Sequence, residues 1–148
     1  MRRTLNSVVL TGVLLGAAVA VAPASSATTT CTHTIGYYKN HAGSYASRVD
    51  LSASLVAGLT SRTGLSLQGI LEAPVRGNAD LIAAKQLLAA AANGAPGDTG
   101  FTGALGDAFY SLAGYFQGTR SLSRSQLTGF AGVLDDYNNG RLGVPHCS

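Results

Sequence analysis

The chain has no tryptophan, one methionine, one glutamate (Glu72), and charged side chains at only 11% of its 148 positions. Each shortage removes support for a class of function. A carboxylate pair of the glycosidase kind would have to join Glu72 to an aspartate, and no spacing favours such a pair. The sequence contains no G-x-S-x-G elbow, Walker A run, dinucleotide glycine motif or H-E-x-x-H helix. Serine-nucleophile, nucleotide and zincin chemistry therefore have no motif to rest on. "DDYNNG" has the look of a calcium loop but fails on spacing: Asp136-Tyr137-Asn138-Asn139-Gly140 is one residue short, and no closing acid follows. The expectation is that there are no catalytic residues.

The one long apolar run is "VVLTGVLLGAAVAVA", Val8 to Ala22, preceded by Arg2 and Arg3 and followed by "APASSA". At 15 residues it is shorter than the ~20 that span a bilayer, and its flanks are those of a secretory signal. The predicted cut follows Ala27, with Ala22-Pro23-Ala24 as the alternative. The twin arginines lack the rest of a twin-arginine signal, so ordinary export is expected. Removing 27 of 148 residues leaves 121, a length suited to one domain, 28–148, with one modest core. Two of the 10 basic residues leave with the signal, so 8 cations face 7 acids and the net charge falls to +1. That balance gives no reason to expect nucleic acid as a partner, nor a membrane once the signal is cleaved.

All cysteines and histidines lie near the two ends of the mature chain: "CTHTIGYYKNH" from Cys31 to His41, and "HCS" from His146 to Ser148. Two cysteines in an exported domain pair, and only Cys31–Cys147 is available. On the chain-entropy model a loop of this size is worth roughly 4–5 kcal/mol.

Between the ends, helical spacing dominates. Ser123 and Gln126 form a capping box, with Leu122 and Leu127 as the staple around it. Leu127, Phe130, Leu134 and Tyr137 then share one face, and Gly140 is the left-handed stop. A second helix presents Leu105, Phe109, Leu112 and Phe116, with Gly118 as its stop. A third begins at Asn78, ends at Asn93-Gly94, and presents Leu81, Ala84, Leu88 and Ala91. A short one runs from Ser66 to Pro74. Residues 28–64 fit either a short strand pair or another helix, and 93–100 reads as a loop. The fold expected is mostly α: a small helical bundle with an irregular N-terminal arm closed by Cys31–Cys147.

The candidate site residues follow from the same ends. His33, His41 and His146, brought together by the disulfide, would suit Zn²⁺ or Cu²⁺ with an open coordination position. No motif calls for any other cofactor. Tyr37, Tyr38 and Tyr45 form an aromatic group beside them, either a binding surface or the small core that seats the arm. Arg76, in the connector "APVRGN", bonds backbone carbonyls, pairs with Glu72 or Asp80, or faces an anion.

Four segments, in order, resemble a family of bacterial secreted or surface domains marked by a "TQGYWKNH" motif shortly after a cysteine. They are "CTHTIGYYKNH", "ILEAPVRGN" (against "LNTPVRGN"), "KQLLAAAAN" (against "HQLIAAKLN") and "LDDYNNG…VPHC", spanning Cys31 to Cys147. Ile35 and Tyr38 replace the family's glutamine and tryptophan. Lys85 stands where the family often has histidine; if that histidine belongs to a metal site with the positions of His41 and His146, this chain lacks one of its ligands. The resemblance implies an exported module, found alone or appended to other extracellular parts, with no enzymatic activity attached to the family.

Overall fold

The computed structural model of the chain describes residues 31–42, 51–94 and 100–148. The segment 1–27 expected to be a signal, Tyr45 and the connector 95–99 lie outside these described residues. Among the described residues are six helices: α1 (Ile35–Asn40), α2 (Ala53–Thr63), α3 (Leu67–Glu72), α4 (Ala79–Asn93), α5 (Gly103–Phe116) and α6 (Arg124–Asn138). The only strand-like pairing among them is a single parallel bridge between Thr32 and His146.

The helices begin where side-chain caps are available. Ser52, Ser66, Asn78 and Ser123 each accept a backbone N–H three residues on, at the starts of α2, α3, α4 and α6. Each satisfies one of the orphan donors of a first turn. The capping box at Ser123 is complete: its Oγ accepts from the Gln126 N–H, and Gln126 Oε1 accepts from the Ser123 N–H. Thr34 caps α1 in the same way, so the arm expected to be irregular contains a helical turn of its own. Residues 53–63 resolve the strand-or-helix ambiguity as helix.

α4 is the centre of the bundle. It packs along α6, which in turn packs on α5, and it also touches α1 and α3. The expected face of Leu81, Ala84 and Leu88 is buried, but so are Ala79, Ala83, Gln86, Leu87, Ala89, Ala90, Ala92 and Asn93, whereas Ala91 is only half-buried. A helix surrounded by neighbours needs short side chains rather than one apolar stripe, and the alanine run supplies them. α5 and α6 follow their predicted faces: Leu105, Leu112, Phe116, Leu127, Leu134 and Tyr137 are buried, with Phe109 and Phe130 half-buried at the edge.

α6 stops as its sequence predicts. Gly140 has φ +70°; its N–H donates to Tyr137 O, and the Arg141 N–H donates to Asp136 O. These two bonds make a Schellman motif and turn the chain back toward the arm.

No helix among the described residues is long and apolar enough to cross a membrane.

Candidate functional site

The segments around Cys31 and Cys147 meet. Cys31 and Cys147 form a disulfide with their Cα atoms 5.0 Å apart, joining residues separated by 116 positions. Beside it the Thr32 N–H donates to Pro145 O at 2.9 Å, and the Cys147 N–H donates to Thr32 O at 2.8 Å. Thr32 is completely buried, and its Oγ1 has no hydrogen-bond partner among the described residues.

The next residue, His33, is held by a side chain from α4. The His33 N–H donates to Asn93 Oδ1 at 2.7 Å, and Asn93 Nδ2 donates to His33 O at 2.9 Å. The amide thus presents to the arm the acceptor and donor that a neighbouring strand would. The Tyr38 hydroxyl donates to the same Oδ1 at 2.7 Å. From Asn93 the polar chain passes between α6 and α4: Nδ2 to Asn138 Oδ1 at 2.9 Å, Asn138 Nδ2 to Gln86 Oε1 at 2.8 Å, and Gln86 Nε2 to Asp135 Oδ1 at 2.7 Å. Buried amides cost stability unless every partner is supplied, and a connected set fixes one packing of α1, α4 and α6. Sequence reasoning read Asn93 as a helix-end residue and did not single out Gln86. The remaining sign was polar side chains at positions inside otherwise apolar helical faces.

The three histidines occupy different surroundings. The rings of His33, Tyr37 and His41 lie one above another: His33 stacks on Tyr37 at 3.8 Å between centroids, and Tyr37 stacks on His41 at 4.3 Å. The spacing i, i+4, i+8 along the arm and α1 sets this row. His41 Nδ1 also lies 2.9 Å from Tyr37 O. A phenol ring therefore separates the two imidazoles, farther than the ~4 Å that two ligands of one ion would span with Zn–N bonds near 2.1 Å. His146 is exposed on the tail, joined to the arm through the backbone bridge at Thr32. Among the described residues, no group of three or more His, Cys, Asp or Glu is arranged to hold a metal ion.

The aromatic residues divide. Tyr38 is fully buried and belongs to the core that seats the arm, while Tyr37 is half-buried in the ring row. Lys85 caps a helix instead of facing an ion: its Nζ donates to Leu71 O at 2.9 Å, near the C-terminal end of α3. Burial and, secondarily, the charge of Lys39 lower its pKa.

Arg76 is exposed and has φ +41°, the one non-glycine residue with positive φ among those described. With Gly77 at φ +77° and the Asn78 N–H donating to Val75 O at 2.7 Å, the turn matches type I′ in φ. Arg124 Nη2 braces it by donating to Gly77 O at 2.9 Å. Both acids expected to pair with Arg76 are engaged elsewhere. Glu72 accepts from Gln68 Nε2, and Asp80 accepts from the Tyr115 hydroxyl at 2.6 Å, a bond that raises the Tyr115 pKa.

No protein-family model, curated protein or solved structure matches the chain.

Proposed function

We propose that this protein is a secreted, non-catalytic binding domain that acts at the cell surface or in the extracellular matrix. The observation that carries the reading is the ring row His33–Tyr37–His41, partly open to solvent on an arm fixed twice, by Cys31–Cys147 and by Asn93. Aromatic rings with polar edges, held in place before binding, offer contact area at low conformational cost. The exposed Lys39 on the same helix adds a cation beside the row. The signal-like N-terminus and the likeness to "TQGYWKNH" domains support the location. The partner is a cell-surface or matrix component that meets the outer edges of these rings.

The test is retention of the secreted protein on cell-wall and matrix preparations, comparing wild type with Tyr37→Ala and His41→Ala. Loss of retention by about tenfold or more in folded variants supports the reading. Turnover of a peptide, ester or glycan by the pure protein, abolished by a point mutation, would replace it with an enzyme. Equal retention of wild type and both variants would move the surface elsewhere.

A further inference from the structure

The two ends joined by Cys31–Cys147 are held very unequally by everything other than the disulfide. On the arm side, both backbone groups of His33 bond Asn93, the buried Tyr38 hydroxyl bonds the same amide, and Thr34 caps α1. On the tail side, Leu142, Gly143, Pro145 and His146 are exposed, and only Val144 is buried. Arg141 pairs with Asp136 and Asp135 through exposed side chains at the root of the tail, where such pairs hold weakly. Beyond Arg141, whose N–H donates to Asp136 O, two backbone bonds, both to Thr32, complete the attachment among the described residues. One apolar side chain, these two bonds and the contacts of Arg141 at the root are little to set against the entropy of ordering the eight residues from Arg141 to Ser148. Thr32 Oγ1, buried and without a partner among the described residues, gains water if the tail departs, which favours the open form.

We infer that Cys31–Cys147 is a one-sided redox latch: its reduction releases the tail 141–148 and leaves the arm seated on Asn93. The step needs an external dithiol. The S–S bond breaks, the two sulfurs take up two electrons and two protons to become thiols, and the dithiol leaves as its own disulfide. Release uncovers the N–H and C=O of Thr32 while α1 and its ring row stay in place. The latch would then make access to this edge depend on the thiol balance outside the cell. It does not rest on the binding role proposed above.

The experiment is amide hydrogen exchange on the full secreted protein, oxidised and after treatment with dithiothreitol. The Thr32 and Cys147 amides, which bond across the bridge, should exchange at least about tenfold faster after reduction. The His33 amide, bonded to Asn93, should change by less than about threefold. Cys147→Ser should reproduce the reduced pattern without reductant. The inference is overturned if Thr32 and Cys147 stay protected after reduction. It is also overturned if His33 loses protection with them, whether by joint release or by unfolding of the whole domain. Equally, a Cys147→Ser pattern like that of the oxidised protein overturns it.

Discussion

Asn93 binds both backbone groups of His33, accepting from its N–H at 2.7 Å and donating to its C=O at 2.9 Å across 60 positions of sequence. One side chain on the central helix thereby sets where the arm begins. Replacing it with alanine strands the Tyr38 hydroxyl, Asn138 Oδ1 and both His33 groups in a buried setting. Asn93→Ala is expected to lower the unfolding free energy by about 2–4 kcal/mol, measured by urea denaturation. Asn93→Asp keeps the acceptor but loses the donor, and should lie between wild type and alanine.

Two helix stops distinguish backbone conformation from crowding. Gly118 has φ +77° and nothing within 4 Å of an added Cβ, so Gly118→Ala should cost about 1–2 kcal/mol through the left-handed backbone alone. Gly140 has φ +70°, and its added Cβ would collide with the backbone of Pro145 and His146. Gly140→Ala must displace the returning tail as well, so its cost should exceed that of Gly118→Ala. Thermal unfolding of the two variants side by side tests the difference, and equal costs would mean the tail gives way freely.

Alkaline stability should depend on Tyr137. Burial, and then the nearby Tyr38, push its pKa up to about 12 from the 10.0 of an ordinary tyrosine. Below pH 10 the folded and unfolded chains both keep this proton, so the contribution is level. Between pH 10 and about 12 the unfolded chain releases it first, and stability falls by an amount on the order of 2 kcal/mol. Tyr137→Phe should flatten that part of the stability–pH curve. It should also cost about 1 kcal/mol at neutral pH through the lost bond from the hydroxyl to Gly94 O. Chemical denaturation at pH 8 and at pH 11 measures both effects.

With Tyr37 between them, His33 and His41 should not share an ion. Equilibrium dialysis of the purified protein against Zn²⁺ or Cu²⁺ is expected to give no uptake that His41→Ala removes. One bound equivalent in wild type, lost in His41→Ala, would show that the ring row rearranges into a metal centre.

The sequence by itself determined the four helices between Ser66 and Asn138, because the information is local. Ser66 and Asn78 cap whatever follows them, and Leu127, Leu134 and Tyr137 recur at helical spacing. Gly140 supplies the left-handed residue that a helix stop requires. It also determined the disulfide pairing, since two cysteines allow one bond. The tertiary structure alone decided what surrounds each polar side chain. Asn93 read as the end of α4 until α1 and α6 were packed against it, and Gln86 carried no sign that it reaches Asp135, 49 positions away. Likewise, the disulfide brought the histidine-bearing ends together, yet the pitch of α1 placed Tyr37 between His33 and His41. Capping and periodicity act within a few residues of the chain, whereas a buried amide or a ring stack takes its meaning from neighbours that only packing supplies.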